Sequence, residues 1–161
     1  MWVFRDDRRR ISAETLRMRV VEAARRARSG DPELLLGALL RSGELECGLA
    51  DVDHPSRATA AWLTDAMADA WARRCPPTLE LSRLLELSLP LAVPWTKAEG
   101  FAYYALRPET FAQQVVTLAS SSDRPLLIIG IRTIGLTLAA AALGKMSALG
   151  LPGARVDVRP A

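Results

Sequence analysis

The most constraining segment of this sequence is residues 126–137, LLIIGIRTIGLT. An uninterrupted apolar run ends at Gly130, Arg132 follows, and Gly135 precedes an Ala/Leu-rich stretch. Such a run is typical of a parallel strand covered on both faces, so we expect a strand, a tight loop and a helix. The alternating segment ARVDVRP, residues 154–160, predicts a second strand. Strand, helix and strand with short connections form a right-handed parallel βαβ unit.

The chain before this unit has the pattern of a helical region. Apolar residues recur there at helical spacing, and four candidate helix starts are found at Ser12, Asp31, Ser56 and Thr78. We expect the second of these helices to stop near Gly43, and the prolines of LPLAVPW, residues 89–95, to impose an extended path. The predicted fold class is therefore α/β, with a helical region at residues 1–90 and a partial α/β domain at residues 91–161.

The predicted sheet is small for an independent unit. Two parallel strands and one crossover helix do not make a self-sufficient sheet, since three or more strands are normally required. A further strand could come from residues 101–106, from the start of the chain, or from outside it. In the last case a second polypeptide, or a missing carboxyl-terminal part, completes the sheet, so we expect a protein partner.

The loop after the apolar run has features of an anion site. A loop at the carboxyl end of a parallel strand faces the crevice where open α/β sheets bind ligands, and the next helix directs free N–H groups there. Glycines allow a close approach of the backbone, and arginine offers a planar set of donors suited to phosphate. The candidate phosphate-binding residues are Gly130, Ile131, Arg132, Thr133, Gly135 and Thr137.

Two common phosphate loops do not match this segment. A Walker A loop, GxxxxGK[ST], agrees in spacing and in the hydroxyl of Thr137, but Leu136 stands where lysine is required. The dinucleotide fingerprint GxGxxG needs glycine where Arg132 stands. A purely structural turn, in which the glycines relieve backbone geometry and Arg132 pairs with a surface acid, remains a third interpretation.

The segment IIGIRTIGLTLAAAALGKM resembles the first strand, pyrophosphate loop and helix of the phosphoribosyltransferase family. The upstream segment EGFAYYALRPETFAQQV is similar to the corresponding part of uncharacterised bacterial phosphoribosyltransferase-like proteins. The resemblance covers residues 99–160, with weaker likeness around GELECGLADVDHP. It implies that the loop residues named above hold the pyrophosphate of phosphoribosyl pyrophosphate, with Mg²⁺ bound mainly to substrate oxygens.

The family's more diagnostic element is a later strand that ends in two adjacent acids and a Thr/Gly-rich loop. No such element follows ARVDVRPA; Asp51 and Asp53 occur in another context, and Asp157 stands alone within a predicted strand. We therefore expect a subunit or fragment of a phosphoribosyltransferase-like protein that is not a transferase as this chain alone. The catalytic residues and the acceptor are unknown. The alternative is a non-catalytic structural or regulatory interaction module of a multi-chain assembly.

Composition and charge exclude several other classes. Residues 1–30 hold nine arginines and four acids, a net charge of +5, which leaves about −2 for the remainder of a chain of net charge +3. Nucleic-acid binding is not expected, because neither aromatic interleaving nor a recognised motif accompanies these arginines. Arg132 and several glycines interrupt the longest apolar stretch, so no membrane span is expected, and Cys47 and Cys75 form no metal motif. A reducing cytoplasm is the expected location.

Overall fold

The computed structural model describes residues 9–77, 81–98, 100 and 107–159. This part of the chain combines helices with two small sheets, one of them parallel, and is of mixed α/β class. In chain order its elements are β1 (Arg9–Ser12), α1 (Ala13–Arg26), a 3₁₀ turn (Ala27–Ser29), α2 (Pro32–Asp51), α3 (Arg57–Arg73), α4 (Leu81–Leu85), β2 (Ala92–Trp95), α5 (Pro108–Ser120), β3 (Leu126–Ile131), α6 (Leu136–Ala148) and β4 (Gly153–Val158).

Two of the predicted helix starts are confirmed by their capping bonds. Ser12 precedes α1, and its side chain accepts a hydrogen bond from the backbone N–H of Thr15. Asp31 precedes α2 and accepts from two backbone N–H groups of the first turn, with Pro32 as the first helical residue. Both caps satisfy N–H groups that have no partner within the helix, which is why the chain enters the helical conformation at these positions.

The predicted end of the second helix near Gly43 is wrong, because α2 continues to Asp51. A Cβ atom on Gly43 would lie 2.7 Å from Thr137 Oγ1, so this glycine permits the close approach of α6. The third helix begins next to Ser56 as expected, but the Ser56 hydroxyl makes no capping bond and donates instead to the backbone carbonyl of Ser88. Glycine and serine therefore serve long-range packing at these two positions.

The start of the described chain forms a strand rather than helix. β1 pairs antiparallel with β2 from Arg9↔Trp95 to Ser12↔Ala92. This corrects the expectation of an all-helical region up to residue 90, and the added strand joins a separate two-stranded sheet instead of the predicted parallel one. The possible strand at residues 101–106 lies outside the described residues.

The predicted parallel crossover is confirmed. β3 pairs parallel with β4, from Leu126↔Gly153 to Ile131↔Val158, and α6 connects them. The expectation that the apolar run is covered on both faces is wrong, because alternate residues of β3, Leu127 and Ile129 among them, are exposed. Among the described residues, helices cover one face of this sheet and nothing covers the other.

One continuous core joins elements on both sides of residue 90. Helix α6 packs against α3 so closely that a Cβ atom on Gly144 would lie 2.5 Å from the backbone carbonyl oxygen of Ala68. Leu39, Met67 and Ala141 belong to the same cluster of buried residues. The loop between β3 and α6 is therefore fixed against the helical region, where α2 lies beside it.

Candidate functional site

The predicted anion loop connects the end of β3 at Ile131 to the start of α6 at Leu136. Gly135 occupies the N-cap position of α6 and no side chain caps this helix. Thr133 adopts a left-handed backbone conformation with φ of 68°. The loop therefore stands where the sequence placed it, and the directions of its N–H groups and of Arg132 decide what it can bind.

The two loop glycines allow the loop to close on itself. A Cβ atom on Gly130 would lie 2.9 Å from the carbonyl oxygen of Gly135, and one on Gly135 would lie 2.9 Å from the backbone nitrogen of Ile131. The N–H of Gly135 also donates to the carbonyl of Ile131 across 2.6 Å. These close contacts account for both glycines without a ligand.

Other N–H groups of the loop donate within the protein. The N–H of Arg132 donates to the carbonyl of Val158 at 2.9 Å and extends the β3–β4 ladder. The N–H of Thr133 lies near the thiol of Cys47 in α2 and acts to lower the pKa of that thiol. Burial, and next the charge of Asp51, raise the pKa of the Cys47 thiol to about 12, so this cysteine is neutral and not a nucleophile at physiological pH.

The side chain of Arg132 lies between acidic groups of two elements. Its Nε donates to Asp157 Oδ2 on β4, and its Nη1 donates to the carbonyl of Ala50 at 3.0 Å and to Asp51 Oδ1 at 3.4 Å. Burial acts to lower the pKa of Arg132, but the hydrogen bonds and charges of Asp157 and Asp51 together outweigh it, and the net pKa is raised. Asp157 thus pairs with Arg132 across the two strands, and Arg132 is already neutralised by carboxylates.

The space beside the loop is small. Its cavity has a volume of about 10 Å³ and is lined in part by Glu44, Lys97, Thr133 and the buried Thr137. Such a volume holds at most one water. Glu44 accepts two hydrogen bonds from Arg41, at 2.9 and 2.8 Å, and one from the indole N–H of Trp95 at 3.2 Å. A pyrophosphate group does not fit in this cavity, and the carboxylate of Glu44 would repel it.

Comparisons with known proteins give no family. No protein-family model, no curated protein and no solved structure matches this chain. Within residues 9–77, 81–98, 100 and 107–159, no group of three acidic, cysteine or histidine side chains could hold a metal ion. None of the helices in those ranges combines the length and apolar character that crossing a bilayer requires.

A second ionic cluster, which the sequence did not predict, lies under β4. Arg155 donates to both carboxylate oxygens of Glu46 on α2, at 2.9 and 3.0 Å, and its Nε donates to Asp65 on α3. Burial raises the pKa of Glu46 and the contacts with Arg155 oppose that rise. Burial acts to lower the pKa of Arg155, but Glu46 and Asp65 together outweigh it and the net pKa is raised. This cluster joins β4 to both helices.

The two ionic clusters give β4 an unusual orientation. Arg155 and Asp157 point toward the helices, whereas Val156 and Val158, which alternate with them along the strand, are exposed. Alternation alone does not tell which side of a strand is buried, and the usual assumption would place the valines inside. The polar residues of β4 are therefore satisfied inside the protein, and its apolar residues face solvent.

The exposed side chains of both strands form one surface, which we name the outward face. The register places Leu127 beside Ala154, Ile129 beside Val156, and Ile131 beside Val158. Leu127 and Ile129 are each 59 % exposed, and Ile131, Val156 and Val158 are 40–43 % exposed. Within the described part of the chain, β3 and β4 pair with no other strand. The outward face consists of Leu127, Ile129, Ile131, Ala154, Val156 and Val158.

Proposed function

We propose that this chain is a non-catalytic interaction module of a multi-chain assembly, and that the outward face is its protein-binding surface. The single observation that carries this proposal is the inverted amphipathicity of β4, with Arg155 and Asp157 inside and the valines outside. Parallel sheets occur almost only where both faces are covered. An aliphatic face left open on such a sheet favours a covering partner.

The free energy that burial of the outward face would contribute is of the size that binding requires. Fully burying a Val, Leu or Ile side chain contributes about 1.5–3 kcal/mol, and the five large residues of the outward face are roughly half exposed, so complete burial would contribute on the order of 4–7 kcal/mol. Part of this offsets the loss of translational and rotational freedom on association. Hydrogen bonding at the open sheet edges would add to it, because an unpaired edge is ready to accept another strand.

The function predicted by family resemblance, binding of phosphoribosyl pyrophosphate with Mg²⁺, is a second candidate. It is favoured by the position of the loop between a parallel strand and the uncapped start of α6. For pyrophosphate to bind, Arg132 would have to leave Asp157 and the 10 Å³ cavity would have to open. These contacts favour the interaction module.

A site-specific photo-crosslinker tests the proposed function. Benzoylphenylalanine is placed at position 129, on the outward face, or at position 118 as the control. Leu118 and Ile129 are both 59 % exposed, but Leu118 lies on α5 and outside the outward face. The modified chains are irradiated in living cells that express them from the native locus. We expect a discrete adduct from position 129 and none from position 118. Equal adduct patterns, or no adduct from position 129, would rule out a binding surface there.

A further inference from the structure

The composition of the outward face suits contact with an identical face. All of its side chains are aliphatic, so none of them introduces a charge or an unpaired hydrogen-bonding group when two such faces meet. In a two-fold dimer the same patch occurs on both sides of the contact and must be self-complementary. A flat aliphatic ladder meets this requirement, whereas a face with charges of one sign would not.

The area of the outward face is close to what a dimer needs. Its exposed aliphatic surface is on the order of 500 Å², within the range of the largest apolar patches found on monomers. Two such faces together give about 1,000 Å², which is the lower limit for a specific interface. One contact between two copies would therefore cover the open apolar face of each chain. No different protein with an apolar surface of its own is then needed to cover it.

The charges near the two ends of the face do not oppose this contact. Asp123 and Arg124 precede β3 at one end. At the other end Arg159 follows β4, and its Nη1 lies 3.4 Å from Asp51 Oδ1 of its own chain. Each end thus holds charges of both signs, so the ends do not repel one another when two copies meet.

We propose that the outward face binds the outward face of a second copy of this chain. The proposal rests on the proposed function and names its partner. Ile129 and Val156 are the middle pair of the face, so the two-fold axis passes near them. The middle pair of each copy therefore lies over the middle pair of the other.

Analytical ultracentrifugation over a concentration series tests the dimer. We expect the wild-type chain and the matched control Leu118→Lys to form dimers, and Ile129→Lys to weaken association by about 30-fold or more, as loss of a central apolar contact does. Circular dichroism melting checks that both variants fold, and each replaced side chain is 59 % exposed. A wild-type chain that stays monomeric, or an Ile129→Lys variant that associates like the control, would overturn the proposal.

Cysteine chemistry then separates failure of the dimer from failure of the proposed function. In a Cys75→Ser background, Val156→Cys, alone or mixed with Ile129→Cys, is expected to form an intermolecular disulfide on mild oxidation, and Leu118→Cys is not. Preferential crosslinking through Leu118→Cys would overturn a contact through the outward face. If the chain is monomeric, rapid maleimide labelling of Val156→Cys leaves the interaction module standing with another protein as its partner. Slow labelling of a monomer would mean that the face is covered within one chain, and both proposals would fail.

Discussion

Arg132 in the β3–α6 loop donates through Nε to Asp157 on β4, so the cation that the sequence assigns to a phosphate is held by a carboxylate of the neighbouring strand. The side chains of Arg132 and Asp157 are only 17 % and 26 % exposed. A charge-assisted hydrogen bond in such a setting is stronger than one in open solvent. The pair therefore fixes the loop against the end of the sheet.

Replacing Asp157 by asparagine is expected to destabilise the protein by about 1–2 kcal/mol, because Arg132 loses its closest counter-charge while its contacts with Asp51 and the Ala50 carbonyl persist. Urea denaturation measures the free energy of unfolding. Asp123→Asn is the matched control, since Asp123 is exposed and forms no ion pair with the described residues, and we expect a change within about 0.5 kcal/mol. Equal effects of the two substitutions would show that the Arg132–Asp157 pair contributes nothing to stability.

Local rules were sufficient for part of this fold. The caps at Ser12 and Asp31 and the parallel crossover from β3 to β4 depend on residues close in sequence, and they were predicted correctly. The predicted end of α2 was wrong because glycine has two roles in helices. It can end a helix, and it can also lie within a helix where another helix packs closely against it. At Gly43 that helix is α6, and no local pattern indicates it.

At the candidate site, too, the sequence predicted a local feature but not the contacts with distant residues. The position of the loop followed from the sequence, but the partners of Arg132 are Ala50 and Asp51, about eighty residues away, and Asp157 on the next strand. The outward face was missed because the apolar run of β3 is equally consistent with burial on one face or on both. Only the partners of Arg155 decide which side of β4 is inside.

Titration of phosphoribosyl pyrophosphate with Mg²⁺ into the wild-type chain, followed by calorimetry, is expected to give no binding heat. The physical reason is that Arg132 is bound to Asp157 and the adjoining cavity holds at most one water. Arg132→Ala serves as the matched variant and should behave identically. Heat from the wild type that disappears in Arg132→Ala would instead establish the pyrophosphate site predicted from the loop.

Alanine at Gly144 is expected to destabilise the protein by about 1–3 kcal/mol, because its Cβ would lie 2.5 Å from the Ala68 carbonyl oxygen and would force α6 away from α3. Gly37 in α2 provides the control, since a Cβ atom there meets nothing within 4 Å. Gly37→Ala should stabilise by about 0.5–1 kcal/mol through the higher helix propensity of alanine. Thermal melts of both variants measure the difference, and a stable Gly144→Ala protein would contradict the α3–α6 packing.

The buried carboxyl group of Glu46 is expected to make stability depend on pH. Because burial raises its pKa in the folded protein, Glu46 keeps a proton there at pH values above 4.5, its ordinary pKa, where the unfolded chain has released it. The folded state then binds more protons than the unfolded state, so the free energy of unfolding falls as pH rises from 4.5 toward the raised pKa.

Glu46→Gln removes this titration while it preserves the shape of the side chain and a carbonyl acceptor for Arg155. Relative to this variant, the wild type should lose up to about 1.4 kcal/mol per pH unit within that window and nothing below it. Asp65, whose pKa burial also raises, titrates in both proteins, and the Glu46→Gln variant measured alone gives the pH dependence that Asp65 contributes in the absence of the Glu46 charge. Urea denaturation of both proteins at several pH values gives the difference directly. A wild type that instead gains stability over Glu46→Gln with rising pH would mean that Arg155 outweighs burial and lowers the pKa of Glu46.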